Sequence, residues 1–354
     1  MQNVQSALLL NPVSTLRVVE RVAQAIPVNP VEISAVDEPQ AQTVVVVNSE
    51  SRPNFLEANT NAITLNELSE QCVVPTWANQ ELTISHQDFV STVRHAAETM
   101  FSGEQFSDTD IRVSHIVRGR IPSALDKKAS ELLESEKTQF YQRLAFAFTI
   151  PTISESVDGK QMQLCIGGVR NYSDLNLYRA KRGLEKFSVF IGWRMNICSN
   201  QVLSGKGVKL NMEVSSLQEL FTEVTNLFFD FNPDKDVNML HRLAESRLTE
   251  TQFAQIVGRM RLYQALPSHI QKNVPKLLMT DSQINSVCRD FYNCPNFGSR
   301  NNSISMFDFH NLLTAANKSS YIDSYLQRAI NATEIAVGID EALYGDSRYA
   351  WFLG

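Results

Sequence analysis

The sequence predicts an α+β protein: a central, mainly antiparallel β-sheet followed by an all-helical C-terminal half, with a disordered N-terminal tail. Three observations predict it. Residues 141–198 hold apolar, β-prone runs, two of which flank Asp158 and Gly159, a turn pair suited to hairpins because Gly accepts positive φ. From residue 215 onward, apolar residues recur at helical spacing behind capping residues. Residues 1–62 contain five of the twelve prolines, with polar sequence and almost no aromatic residues, a composition that buries too little to fold alone.

Taken in order, the tail contains two segments of interest. Leu16, Val19, Val22, Ala23 and Ile26 form one helical stripe, and residues 43–47 are β-prone. Each either docks on a partner or on the body, or is a transient element of the kind short isolated segments form. Structure is expected from about Thr64. Ser85 with Asp88 caps a helix that buries Phe89, Val90, Val93, Ala96, Ala97 and Met100 and stops at Gly103. The period then changes to two: Ile111 and Val113, with the pairs across 116–121, predict a strand, and residues 123–134 a short helix. Further strands are expected over 141–150, 161–169, 186–198 and 212–214. Leu217, Leu220, Phe221, Val224, Leu227 and Phe228 begin the helical half. Thr249 with Gln252 caps a second helix, and others are expected over 281–291, 307–316 and 321–337. The expected organisation is a tail (1–62), an α+β domain with a basic sheet (63–214) and a helical region packed on it (215–354).

A chain of 354 residues, 43% of them hydrophobic, can bury a substantial core. Its five cysteines are scattered without paired spacing, which suits reduced thiols, and the start has neither a secretory signal nor a membrane span. A cytoplasmic protein is expected.

Charge is the strongest functional clue. Residues 111–210 carry 16 of the 32 Lys and Arg against 8 of the 38 Asp and Glu, a net charge of +8, while the other 254 residues sum to −14. Such a face on an acidic body suits a polyanion, DNA or RNA, because each neutralised phosphate releases a counterion. The candidate contacts are Arg112, Arg118, Arg120, Arg170, Lys181, Arg182 and Arg194 for phosphates, with Tyr172, Tyr178 and Trp193 as stacking platforms for bases. The competing reading is an intramolecular clasp with residues 61–110, whose net charge is −7. A third is a protein-interaction factor, a host-defence inhibitor or assembly subunit, acting through the acidic body or the tail.

No catalytic signature competes with these readings. The histidines never fall at a metal-ligating helical spacing, which leaves Cys288, Cys294 and His310 as a weak zinc candidate. Asp158, Gly159 and Lys160 after Glu155 echo the acidic-x-Lys element of metal-dependent nucleases, but they coincide with the expected turn. Phosphate-loop, dinucleotide and nucleophile-elbow motifs are absent, so no cofactor is expected. Gly167 and Gly168 mark a bulge or a close backbone approach. Tyr321, Tyr325, Arg328 and Asn331 form either a ligand-facing stripe or a buried network, and Tyr349, Trp351, Phe352 and Leu353 are expected to pin the C-terminus.

Several stretches carry a resemblance. Arg112 to His115, Gly119 to Pro122, Gly168 to Arg170, KFSVFIGWRMNICSN from Lys186, QFAQIVG from Gln252 and ANKSSYID from Ala316 together resemble an uncharacterised family encoded on bacterial plasmids, conjugative elements and prophages. The likeness spans roughly residues 53–354. Arg194 with Cys198, Ser199 and Asn200, and later Asn331, Ala332, Gly338, Ala342, Leu343 and Gly345, are similar to a broader plasmid and phage-like family. The resemblance implies a mobile-element setting, brings no catalytic residues, and by association favours nucleic-acid binding.

Overall fold

Alternating apolar side chains along three long strands place both faces of one sheet out of water, and the rest of the chain is arranged to cover them. The computed structural model describes residues 54–72, 84–124, 126–171, 184–345 and 347–354. In chain order the elements are β1 (Thr60–Ile63), α1 (Leu65–Gln71), α2 (His86–Met100), β2 (Asp110–Ser114), β3 (Val117–Arg120), β4 (Lys137–Tyr141), β5 (Leu144–Val157), β6 (Lys160–Arg170), β7 (Glu185–Met195), β8 (Gln201–Val202) and β9 (Val208–Val214). The helical half follows with α3 (Leu217–Asp230), α4 (Pro233–Glu245), β10 (Arg247–Thr249), α5 (Glu250–Ala265), α6 (Ser268–Gln271), α7 (Asp281–Asn293), β11 (Ser303–Ser305), α8 (Met306–Asn317) and α9 (Ile322–Tyr344).

Seven strands form the main sheet in the order β1-β2-β5-β6-β7-β8, with β9 also on β7, and every pairing is antiparallel. The turn between β5 and β6 is Asp158 and Gly159, both at positive φ, 50° and 70°. Pro151 has no N–H for the ladder, and the register slips there: Ile150 pairs with Leu164, but the next pair is Ser154 with Gln163.

On one face Phe146, Phe148, Leu164, Ile166, Val189, Ile191 and Trp193 join the apolar sides of the helices in the main core. On the other, Ala145, Ala147, Cys165 and Phe190 meet Phe55, Leu56 and the α9 residues Tyr325, Leu326 and Ala329. The small residues on this second face give α9 room. Gly167 and Gly168 are the expected close approaches rather than bulges, one on each face. A Cβ on Gly168 would lie 2.6 Å from Phe89 Cζ and 2.9 Å from Phe146 Cε1, in a core with no slack. Gly168→Ala is therefore expected to cost about 1–3 kcal/mol by overpacking, measured as a lower midpoint in urea.

Capping determines where the helices begin. Ser85 and Asp88 form the expected capping box on α2 and Thr249 and Gln252 do so on α5, while Thr280 with Gln283 forms a further box, not among those expected, on α7. Other expectations need correction. Residues 123–134 are no helix but lie in 3-10 turns at Pro122–Ala124, Ala129–Glu131 and Glu134–Glu136. Most of 126–136 is exposed, so no buried stripe stabilises a helix there. The strand expected over 141–150 begins at Leu144, while Tyr141 ends β4, which pairs with β3 in a separate two-stranded sheet. The C-terminal half is not wholly helical, because β10 pairs with β11.

The assigned tail reaches too far. Residues 1–53 lie outside the described residues, but Phe55 and Leu56 are buried and β1 pairs residue for residue with β2. Sheet and helices share the main core, and Glu50–Gly354 form one compact unit. Among the described residues no helix is long and apolar enough to cross a membrane.

Candidate functional site

The fold separates the residues expected to contact nucleic acid. Trp193 is 0% exposed and offers no ring for stacking, because its position on β7 faces the main core. The Arg170 side chain is likewise 0% exposed: it pairs with Glu185, donates to the Ile84 carbonyl, and stacks 4.4 Å over the Phe187 ring. Both are core residues. Arg112 is held by Asp110 at 2.9 Å and donates to Asn54 Oδ1, and Arg120 donates to the Lys127 carbonyl. Arg118 lies on β3 opposite Phe140. Tyr172, Tyr178, Lys181 and Arg182 lie outside the described residues. Arg194 lines an open cavity.

The rest of the basic segment is largely compensated. Arg143 faces Asp323 at 3.4 Å, Lys160 faces Asp308 at 2.9 Å, Lys186 faces Glu213 at 3.6 Å, and Lys209 pairs with Glu223. These carboxylates come from α9, α8, β9 and α3. Of residues 61–110, Asp110 alone pairs with the segment among the described residues, so these carboxylates come from β9 and the helical region rather than from the acidic stretch upstream. The more exposed of these pairs, Lys186 with Glu213 and Lys209 with Glu223, each contribute about 0–1 kcal/mol, so they neutralise the face more than they stabilise it, whereas Lys160 and Asp308 are largely buried.

The turn between β7 and β8 instead gathers polar groups from distant parts of the chain. Met195 N–H donates to the Asn200 carbonyl and Ser199 N–H to the Met195 carbonyl, closing a tight turn with Ser199 at φ 58°. Lys318 reaches in from the end of α8 and donates to the Cys198 carbonyl. Asn200 Nδ2 donates to the Asn311 carbonyl at 2.9 Å. Tyr325 donates its hydroxyl to Gln201 Oε1 at 2.9 Å, and Gln201 donates onward to Cys165 Sγ at 3.6 Å. The stretches RMNICSN and ANKSSYID, over a hundred residues apart, thus form one assembly.

Between this turn and the sheet lies a cavity of about 170 Å³ lined by Thr149 of β5, Gln163 of β6, Arg194 and Met195 of β7, and Asn196 and Ser199 of the turn. Arg194 and Gln163 are cross-strand partners, so their side chains share a face. Arg194 Nη2 donates to Ser199 Oγ at 2.9 Å. Thr149 is 3% exposed, and its hydroxyl has no hydrogen-bond partner. Burial lowers the proton affinity of Lys318, and Arg194 adds to this against the opposing pull of Cys198 and Glu57.

Burial pushes the Cys165 thiol up to about 12 and raises that of Cys198, so neither supplies a thiolate at neutral pH. The weak metal candidates fare no better. His310 is buried against Thr333 at 3.0 Å, and among the described residues no three His, Cys, Asp or Glu side chains converge to hold an ion. Asp158 and Lys160 pair with each other at the hairpin turn. The α9 stripe is mostly an internal network: Arg328 donates to Ser320 Oγ, and Asn331 donates to the Lys276 carbonyl and accepts from Leu278 N–H, while Tyr321 is exposed.

Thr149, Gln163 and Asn196 were not legible as site residues. The one available signal was Thr149 as the single hydroxyl in the apolar run LAFAFTI. A family profile described as a domain of unknown function, B. Theta Gene description (DUF3871), matches residues 39–353. No curated protein and no solved structure matches the chain.

Proposed function

The chain belongs to the DUF3871 family of domains of unknown function, and from that premise, which brings kinship but no chemistry, we propose that it is a non-enzymatic nucleic-acid-binding accessory protein of a bacterial mobile element, acting in the cytoplasm. The single observation behind this reading is the excess of eight positive charges in residues 111–210. With Arg170 in the core and Arg112 and Arg120 engaged by neighbouring groups, phosphate contact falls to a smaller set. It comprises the exposed Lys128 and Lys206, the half-buried Arg194, and Arg179, Lys181 and Arg182 of the β6–β7 connection.

The test is fluorescence anisotropy with 5′-hydroxyl single-stranded DNA, duplex DNA and RNA at two salt concentrations. Affinity is expected to fall steeply with salt, with a log–log slope that drops by about 1 for each phosphate-contacting lysine reversed. Lys128→Glu and Lys206→Glu supply the reversals, and neither side chain is buried. Absence of binding at low salt, or salt-independent binding, overturns the reading.

One observation favours a protein-interaction factor instead: the residues outside 111–210 sum to −14, an acidic body suited to a basic partner. A protein partner captured at low salt and released at high salt, by a chain that binds no oligonucleotide, would speak for that alternative.

A further inference from the structure

We infer that the cavity between Thr149, Gln163, Arg194, Asn196 and Ser199 is a binding site for a phosphate group. The donor set suits a tetrahedral oxyanion. Arg194 carries a planar fork of N–H groups, one of which donates to Ser199 Oγ at 2.9 Å. The amides of Gln163 and Asn196 and the hydroxyls of Thr149 and Ser199 are neutral groups able to donate, and among the described residues no carboxylate lines the cavity.

Two further features point the same way. Thr149 is nine-tenths buried, with its backbone engaged by Ser107: its N–H donates to Ser107 Oγ and its carbonyl accepts from Ser107 N–H, both at 2.9 Å. Its hydroxyl nonetheless has no partner, an arrangement that costs stability unless a ligand completes it. In addition, the Lys318 ammonium is anchored on the Cys198 carbonyl, at the turn that forms the cavity wall. The nearby carboxylate Asp110 is held by Arg112 at 2.9 Å. A second positive charge beside a half-buried guanidinium favours an incoming anion over an uncharged ligand. At about 170 Å³ the space exceeds that of a single water several-fold and admits the five heavy atoms of phosphate.

The source is either free phosphate or the terminal phosphate of a nucleotide or oligonucleotide. Thermal unfolding of the full chain is followed in phosphate-free buffer with added inorganic phosphate, adenosine 5′-monophosphate, acetate or chloride at matched ionic strength. Saturable stabilisation by millimolar phosphate and not by chloride is expected. A stronger response to the monophosphate, and tighter binding of a 5′-phosphorylated than of a 5′-hydroxyl oligonucleotide, would identify an esterified phosphate as the ligand.

Arg194→Gln is expected to weaken phosphate binding about tenfold or more. Arg194→Lys keeps the charge without the fork and is expected to fall between the two, which serves if the glutamine variant does not fold. Thr149→Val separates ligand binding from scaffolding. If the hydroxyl serves the ligand, this nearly isosteric change leaves the unliganded protein as stable or more stable, yet weakens phosphate several-fold. No saturable phosphate effect, an equal effect of acetate, or unaltered binding by a folded Arg194→Gln variant overturns the assignment. The site does not depend on the nucleic-acid reading. Phosphate binding without affinity for 5′-hydroxyl oligonucleotides would uphold the site and sink that reading, and the converse result would do the opposite.

Discussion

Arg170→Met is expected to lower the stability of the fold by about 3–5 kcal/mol, the range for removing one partner of a buried ion pair. The reason lies in what would be left behind. Glu185 is buried at the start of β7, where it accepts from Arg170 and from Ile84 N–H at 2.8 Å. Ile84 in turn presents its carbonyl to Arg170, immediately before the Ser85 cap of α2. The pair therefore ties the ends of two neighbouring strands to the first turn of the helix that covers them. Burial already raises the proton affinity of Glu185 against the opposing pull of Arg170, and without the guanidinium the carboxyl would have to be neutral or exposed. The double replacement Arg170→Met with Glu185→Met removes both charges and is expected to recover most of the loss, because exchanging a buried pair for apolar groups is often close to neutral. Urea unfolding of the two single variants and the double variant measures this cycle. A loss under about 1 kcal/mol for Arg170→Met would show that the buried pair does not form.

Acidification is expected to begin destabilising the protein above the usual carboxylate range. Burial lowers His86 to about 3, with the charge of Arg170 adding to the shift, and burial lowers His310 to about 4. His310 shows the cause directly. Thr333 Oγ1 donates to the Ala329 carbonyl, so it accepts from His310 Nε2–H, and a second proton on Nδ1 would find no acceptor. Both folded-state values lie below the unfolded value of about 6.5. The stabilisation is therefore complete above pH 6.5 and is lost as pH falls toward 4 for His310 and toward 3 for His86.

Asp236 acts in the opposite sense. Burial pushes it up to about 6 although Ser204 bonds its ionised form, so its contribution is present at low pH and is lost as pH rises through that value. At about 1.4 kcal/mol per unit, the two histidines outweigh the aspartate, and stability should fall by about 4 kcal/mol between pH 7 and pH 4. His310→Gln, which keeps a donor for Thr333, should flatten that fall by about 3 kcal/mol, whereas Asp236→Asn should steepen it and stabilise the protein at pH 7. Denaturant unfolding at unit intervals of pH decides the matter, and a curve indifferent to His310→Gln would refute it.

How much of this was legible beforehand depends on whether the signal was local. The hairpin at Asp158 and Gly159, the capping boxes at Ser85 and Thr249 and the periodicity of α3, α7, α8 and α9 are written in short windows of sequence, because backbone geometry and one buried face are enough to specify them. α4 went unread although Asn232 and Pro233 open it. Residues 123–134, where the sequence suggests a short helix, form 3-10 turns because the segment has no buried face to stabilise one.

The amino-acid order thus determined the fold class, the antiparallel hairpins and the concentration of positive charge in the middle of the chain. What that charge faces was decided by the tertiary structure. Arg170 and Trp193 look like surface contacts in a list of residues, yet strand alternation, and for Arg170 the counter-ion Glu185, place them inside. The same packing brings Asp308, Asp323 and Glu223 onto lysines and arginines of the sheet region from far along the chain, and joins Thr149, Gln163, Arg194 and Ser199 around one cavity. Side-chain direction and long-range pairing depend on register and on which helix covers which face, and no local window of sequence contains either.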